Sequence, residues 1–356
     1  MKIGILTFHR ARNYGAVLQC YALQETLKQM GHDVWVINYR QTYVDDVYSI
    51  FNWTKFLRYI YHLQFTLVYV YLSNIQNRLR RKNNYEAFCS HYLHLTPECS
   101  LKNIPPDFDV YIVGSDQLWN STLTGGIDKA YWGMFKRKKE SFLISYAIST
   151  SIDNLMSLDY DFVKRSISNF NAISVREYSV KDYLLKERIG KNVTVCLDPT
   201  LIANKTVWDR LITDKYKDKR YVLIYQARPY KPNPQLLRQK ALQLSQSAGL
   251  EVIDLSSGIY TPEEFVSLFR YATCIITSSF HAVVFSVIFK RKFFAIALGD
   301  GHDERYTDLL TSLSLKKTIV APDFIPDLDE IDYNSIDVYL SKLRSESVNF
   351  LDSNIC

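Results

Sequence analysis

The sequence predicts an α/β protein with two parallel-sheet domains facing each other across a cleft. Short apolar runs alternate with helical segments over residues 2–39 and again over 110–200, the pattern of parallel sheets joined by helices. A second cycle of the same kind starts at Tyr221, after a charged stretch at 214–220. At 356 residues the chain also exceeds the size at which one core stops growing. Each half reads as a Rossmann-like unit.

A strand is predicted over 2–7, a loop over 9–15, a helix over 16–30 and a second strand over 34–39. Ala16, Cys20, Leu23, Leu27 and Met30 recur at spacings of four and three, a core-facing stripe that Gly31 ends. A strand that delivers a basic, Gly-containing turn onto a helix start builds an anion site, because unpaired helix N–H groups point there. Arg10, Arg12, Asn13, Tyr14 and Gly15 are therefore candidate contacts to a phosphorylated ligand. The turn has neither G-x-G-x-x-G nor G-x-x-x-x-G-K-[ST], which argues against a dinucleotide site or a P-loop.

Residues 42–104 break the alternation. They are rich in Tyr, and 59–77 lacks Asp, Glu, Lys and Arg before the cluster Arg78, Arg80, Arg81 and Lys82. The preferred expectation is a buried or interface helix pair inserted in the first domain. The other is peripheral membrane contact from Tyr59 to Lys82, with the basic end on anionic headgroups. A transmembrane helix is not expected, because His62, Gln64, Ser73, Asn74 and Gln76 interrupt the run.

Strands resume over 110–113, 142–147, 172–175 and 193–197, each ending in a polar cluster: Gly114 to Gln117, Ile148 to Thr150, Arg176-Glu177, and Asp198-Pro199-Thr200. Ligands of parallel sheets bind at the carboxyl ends of strands, so these clusters outline one wall of the cleft. Asp116 is a candidate to activate a hydroxyl, or it caps its own turn; Trp119 is a candidate to stack on a ring. Arg176 and Glu177 read as an ion pair fixing the next helix. The domain boundary is expected at 213/214, giving domains 1–213 (with the insertion at about 42–104) and 214–356.

The second cycle predicts strands over 221–225, 251–255, 273–277 and 293–297, with helices ending near 248 and spanning 262–271 and 280–289. A polar loop at 299–304 leads into a helix from Arg305. The 280–289 helix is apolar on nearly every side, so it is buried and its start faces the cleft. His281 lies in its first turn, where a histidine can exchange a proton near neutral pH and contact a phosphate, and Ser278 or Ser279 can cap it. An interdomain packing role for His281 is an equal alternative. Arg228, held in an extended loop by Pro229, can clamp an anion in bidentate fashion, and Lys231 adds a point charge. Arg305 either faces the cleft or pairs with neighbouring acids.

Composition narrows the field further. Net charge is +6, which suits an anionic substrate, a membrane surface or nucleic acid and selects none of them. The six cysteines form no C-x-x-C pair and none has metal spacing to a histidine, so neither a metal site nor a disulfide framework is expected. The start of the chain runs directly into a strand, which predicts no signal peptide and a cytoplasmic protein. Nucleic acid is set aside, because the positive charge is scattered and no binding motif accompanies it.

These residues resemble the polysaccharide pyruvyl transferase family. The resemblance is carried by residues 2–24 with Asn13-Tyr14-Gly15-Ala16, by 113–120, 173–177 and 197–200, and by 275–289 around Ser279-Phe280-His281. It implies a GT-B-like fold, phosphoenolpyruvate as donor, and a hexose, galactose above all, as acceptor. That hexose belongs to a surface glycan such as a bacterial capsule or exopolysaccharide, often lipid-linked. It further implies a donor site on the second domain with Arg228 on the phosphoenolpyruvate, an acceptor side on the first domain, and no cofactor beyond phosphoenolpyruvate as co-substrate. The expected location is the cytoplasm at the inner face of the plasma membrane. Ser279 stands where some members carry a basic residue, and Ala282 where a glycine is usual. The chemistry then assigns His281 as acid, Asp116 as base, and Arg228 with Arg305 or Lys231 as the anion clamp, assisted by Ser278 and Ser279. The loop from Arg10 to Gly15 is open to donor or acceptor, with Trp119 on the acceptor. Two other readings stand beside this one: a nucleotide-sugar glycosyltransferase of the same fold, and a non-catalytic, membrane-docked component of glycan assembly.

Overall fold

The computed structural model describes residues 1–190, 192–226, 230–299 and 303–355, apart from the side chains of Thr54 and Lys55. Its first sheet is built from β1 (Lys2–Leu6), β2 (Asp33–Val36), β3 (Val110–Asp116), β4 (Phe142–Ile148), β5 (Ala172–Val175) and β6 (Val193–Val195). All neighbours run parallel, in the order β2-β1-β3-β4-β5-β6. The second sheet contains β7 (Tyr221–Tyr225), β8 (Glu251–Asp254), β9 (Cys274–Thr277), β10 (Lys292–Ile296) and β11 (Ile319–Val320), parallel in the order β11-β10-β9-β7-β8. The expected α/β architecture of two parallel sheets is present. Central strands such as β3 and β9 are buried along almost their whole length, which explains why they read as continuous apolar runs rather than as alternation. The short edge strand β11 gave no such signal.

Each sheet reverses its winding once, between β1 and β3 in the first and between β7 and β9 in the second. Crevices open outside the carboxyl ends of strands at such switch points. The connection between the two crevices is α1 (Tyr14–Gln29). The sequence marks one apolar stripe on it, yet every residue from Tyr14 to Leu27 is buried, because both halves of the molecule pack on it. Tyr14 stacks on Phe265 of the second half at 4.6 Å, and the Tyr21 hydroxyl donates to the Val207 carbonyl at 3.3 Å. Most of the buried polar side chains of α1 find partners, the Thr26 hydroxyl being an exception among the described residues. Gln19 donates to Thr7 Oγ1 at 2.8 Å and accepts from the Ser115 N–H at 3.2 Å, Gln24 donates to the Tyr92 carbonyl at 2.9 Å, and Glu25 pairs with Arg210 at 2.7 Å. One apolar cluster runs from Ile3 and Ile112 through Val17 to Phe265, Phe285 and Phe293, so the two halves share a core. The closing helix, Tyr333–Ile355, returns to the first half, where Ser347 Oγ accepts from the Leu197 N–H at 2.9 Å.

The Tyr-rich stretch is helical, as α2 (Thr42–Val47), α3 (Trp53–Tyr61), α4 (Phe65–Ser73) and α5 (Ile75–Tyr92). Of the expected buried or interface helix pair, burial is not met for α3 and α4, whereas α5 does reach the second half, its Arg81 donating to the Gly258 carbonyl at 2.9 Å. Only Tyr71 is buried within α4, while the faces of α3 and α4 carry large exposed apolar side chains. The core contact is made instead by Tyr85 and Phe88 of α5. Among the described residues no helix is long and apolar enough to cross a membrane.

Candidate active site

Both crevices open into one cleft of about 900 Å³. Its walls are the ends of β1, β3, β7 and β8, the starts of α1 and of the helix Phe280–Ile288, and parts of α2 and α5. Asn13 is the N-cap of α1 in extended conformation, its side chain accepting from the Ala16 N–H at 3.3 Å. The N–H groups of Tyr14 and Gly15 precede the first intrahelical bond, which Val17 donates to the Asn13 carbonyl. Across from them Ser279 caps the Phe280–Ile288 helix by backbone only. Its N–H donates to Thr277 Oγ1, and its hydroxyl makes no capping bond on the cleft wall.

The two helix starts touch. A Cβ on Gly15 would lie 1.9 Å from His281 Nδ1 and 2.3 Å from Cγ, so the imidazole rests directly on the Gly15 backbone. Two positive helix ends thus meet in one cleft, each contributing about 0.5 kcal/mol or more toward a bound anion. Arg12 and Arg305 lie on the same lining. Burial lowers the pKa of Arg12, with Glu86 and Asp45 acting against it, and its guanidinium stays charged.

Behind His281 lies a buried charge network. Its Nε2 is 3.7 Å from Asp198 Oδ2, and that oxygen is 2.7 Å from Arg176 Nη2. The Asp198 side chain is fully buried and that of Arg176 only 4% exposed. Burial alone pushes the Asp198 carboxyl up, but the charges of Arg176 and His281 outweigh it and hold the group well below the usual carboxylate range. Asp198 Oδ1 accepts from both the N–H and the hydroxyl of Thr200, which fixes its orientation. The Arg176 guanidinium lies over the Phe280 ring at 4.7 Å and donates to Ser115 Oγ at 2.6 Å. The expected Arg176–Glu177 pair is therefore not the principal one. Glu177 turns to Ser149, accepting its hydroxyl at 2.6 Å, and burial pushes its carboxyl up to about 7 against the charge of Arg176.

On the first-domain wall Asp116 ends β3 with φ +80° and accepts from the Gln117 N–H at 2.8 Å. It caps its turn and lines the cleft as well. Gly114 is required just before it, at φ +133°, where a Cβ would lie 2.1 Å from the Tyr146 carbonyl oxygen. Tyr48, the residue that follows α2, also lines the cleft; burial raises its pKa, and the Asp116 charge raises it further.

Of the residues singled out in the sequence, Arg12, Asn13, Tyr14, Gly15, Asp116, Ser279, His281 and Arg305 line the cleft. Others do not. Arg10 is drawn away by Asp45 Oδ1 at 3.1 Å and Asn38 Oδ1 at 3.2 Å. Trp119 is core, 1% exposed, stacked on Trp132 at 4.9 Å with its indole N–H donated to the Tyr131 carbonyl, so it cannot stack on a ligand. Lys231 is exposed and absent from the lining, and Ser278 is buried behind it, its hydroxyl without a partner among the described residues. Arg228 lies outside the described residues. Asp198 and Arg176 were not picked out as site residues, although an Asp-Pro step at a strand end and an Arg at its neighbour's end were visible in the sequence. Gln226 and Ser256, at the ends of β7 and β8, also line the cleft unforeseen. Among the described residues no group of His, Cys, Asp and Glu could hold a metal ion.

Among solved structures the chain is similar to UDP-GlcNAc 2-epimerase from Methanocaldococcus jannaschii in complex with UDP-GlcNAc and UDP, at 13% identity and a TM-score of 0.46, over 99% of this chain and 100% of that one. It is similar to UDP-GlcNAc 2-epimerase from Neisseria meningitidis bound to UDP-GlcNAc, at 11% identity and a TM-score of 0.45, over 99% and 100% of the two chains. It is also similar to Arabidopsis thaliana UGT89C1 complexed with UDP, at 15% identity and a TM-score of 0.46, over 99% and 97%. No curated protein matches the chain. The family model described as polysaccharide pyruvyl transferase matches residues 13–300, a span that runs from the cap of α1 through β2 to β10 and includes the His281 turn. The chain belongs to the polysaccharide pyruvyl transferase family, and it is a transferase.

Proposed function

We propose that this transferase moves the pyruvyl group of phosphoenolpyruvate onto two hydroxyls of a hexose, galactose in the leading case, in a lipid-linked precursor of a surface glycan. The observation that carries the reading is the apposition of two helix starts around His281 and Gly15, with Arg12 and Arg305 on the same wall. Such a pocket suits a donor bearing both a phosphate and a carboxylate.

In the proposed reaction His281 gives a proton to C3 of the enol phosphate, which turns the double bond into a methyl group and makes C2 electrophilic. A sugar hydroxyl adds to C2 and loses its proton to Asp116. The C2–O bond to phosphate then breaks, and the second hydroxyl closes the cyclic ketal. One of the two hydroxyl protons restores His281 and the other leaves with phosphate. Asp198, fixed by Arg176 and Thr200, supplies the anion against which a protonated His281 ring can rest. Arg228 and Arg305 are proposed as the cations on the donor. The chemistry calls for general acid and base groups and fixed charges, with phosphoenolpyruvate as co-substrate and no cofactor. Donor and lipid-linked acceptor would meet at the cytoplasmic face of the plasma membrane.

The test is phosphate release from phosphoenolpyruvate with and without galactosides and lipid-linked saccharides, followed by the mass of the acceptor. Acceptor-dependent release with the mass gain of a pyruvyl ketal is expected, as is a loss of at least about 10²-fold in His281→Ala. Thermal protection by nucleotide sugars with no phosphoenolpyruvate turnover would overturn the reading.

A further inference from the structure

We propose that the hairpin of α3 and α4 docks this protein on an anionic lipid surface beside the mouth of the cleft. The hairpin turns at Leu63, a non-glycine residue at φ +53°, and presents large apolar side chains to solvent: Tyr61 is 83% exposed, Tyr69 73% and Leu63 71%, with Trp53 and Phe65 each about two-thirds exposed. It is folded nonetheless. Tyr71 is buried against Phe51, its hydroxyl accepts from the Asn52 N–H at 2.6 Å, and Arg78 of α5 covers its ring at 4.2 Å while donating to the Ile50 carbonyl. A folded element with an apolar outer face of this extent marks a contact surface rather than a scatter of exposed residues.

Charge identifies the occupant. Between Asp46 and Glu86 the chain has six cations, Lys55, Arg58, Arg78, Arg80, Arg81 and Lys82, and no acid. Arg58 and Arg80 are exposed. An isologous contact with a second copy would set these cations against themselves with no acid in the segment to answer them. Arg78, Arg81 and Lys82 have partners within the protein, in Tyr71 and Ile50, Gly258 and Glu86 respectively. A surface of anionic headgroups over hydrocarbon answers both features, since aromatic side chains settle at the headgroup level and the exposed Arg58 and Arg80 lie on the phosphates. At nine residues each, α3 and α4 are far too short to span a bilayer, so the hairpin lies on it.

Position gives the contact a use. Tyr43 and Val47 of α2 and the following Tyr48, before the hairpin, and Arg81 and Tyr85 of α5, after it, line the cleft. A docked hairpin therefore holds the opening at the membrane, where a lipid-linked saccharide presents its sugar. That use rests on the proposed acceptor; the binding itself does not.

The experiment is flotation of the purified full chain with vesicles of phosphatidylcholine alone and with 30% phosphatidylglycerol, which needs neither donor nor acceptor. Binding to the anionic vesicles only is expected, weakened about fivefold for each of Arg58→Gln and Arg80→Gln and abolished in Phe65→Ser/Tyr69→Ser, with unchanged melting and unchanged turnover of a soluble galactoside. Absence of binding by the parent, or equal binding by the variants, overturns the proposal. So does a parent dimer that the Phe65→Ser/Tyr69→Ser variant converts to monomer, which would give the face to a second copy of the chain.

Discussion

Replacing Gly15 by Ala sets two opposing effects against each other at the point where the helix starts meet. Inside a helix, Ala is favoured over Gly by about 0.5–1 kcal/mol. At this position the new methyl would lie 1.9 Å from His281 Nδ1, 2.3 Å from Cγ and 2.4 Å from Cε1. Ordinary carbon contacts begin near roughly 3.5 Å, so the ring must retreat by about 1.5 Å. It has little room to do so, because Asp198 stands 3.7 Å behind Nε2 and His281 is buried among packed neighbours. Overpacking of this kind costs about 1–3 kcal/mol, which exceeds the propensity gain. Gly15→Ala should therefore lower the melting temperature by a few degrees. With His281 as the proposed acid, turnover should fall by about 10²-fold or more, the effect of displacing such a group by an ångström. The decisive control is the same substitution in a His281→Ala background. The ring is then gone, only the propensity gain remains, and Gly15→Ala should raise the melting temperature. Additive effects in the two backgrounds, or a Gly15→Ala protein with parental turnover and stability, would refute the contact and the role built on it.

The buried network makes two further predictions. Asp198→Asn keeps an acceptor for Thr200 but leaves the Arg176 charge without its partner, so urea denaturation should show a loss of about 3–5 kcal/mol; a loss under about 1 kcal/mol would mean that the pair is not charged in the folded protein. Glu177 gives a pH signature. The folded protein holds its proton up to about pH 7 while the unfolded chain releases it near the ordinary 4.5, so this contribution to stability is complete below 4.5, falls as the pH rises through 7 and is constant above. The span amounts to about 3 kcal/mol, and Glu177→Gln, which keeps an acceptor for Ser149, should flatten the melting-temperature profile between pH 5 and 7.5. Parallel profiles for parent and variant would rule this out.

How much of the site was legible depended on whether a residue's role was set by its neighbours in sequence or across the fold. The strand-to-helix turns before α1 and before the Phe280–Ile288 helix were readable, because a basic Gly-containing turn and an apolar helix announce themselves locally, although α1 starts at Tyr14 rather than Ala16 and Ser279 caps its helix through the backbone alone. Their contact was not, since it needs α1 packed between both sheets, and nothing local distinguishes a helix buried on one face from one buried on all. Trp119 was misread for the same reason. An aromatic residue three positions after a cleft-edge acid stacks on a sugar or on Trp132 with equal ease, and only the path of the chain near Tyr131 decides. The exposed hairpin is the converse case: an apolar stretch is compatible with burial, an interface or a membrane surface, and sequence alone does not show that Tyr85 and Phe88 of α5 make the core contact while α3 and α4 stay outside it.

Arg176 and Asp198 show why buried charge here points to chemistry. Removing two such groups from water costs several kcal/mol each, and a well-packed apolar pair of the same volume is as stable or more so. A structural purpose alone would be served by Met and Leu at these positions. What Met and Leu cannot do is present a fixed anion 3.7 Å from an imidazole while the partner guanidinium supports the adjacent Phe280 ring. The network therefore holds the first turn of the Phe280–Ile288 helix from behind and leaves its N–H groups and the Ser279 hydroxyl for the cleft. An Arg176→Met/Asp198→Leu double variant separates the two purposes. It should recover most of the stability that Asp198→Asn loses, and it should remain without turnover. A double variant that is both stable and active would make the pair a matter of packing, and the charge behind His281 would then have no part in the reaction.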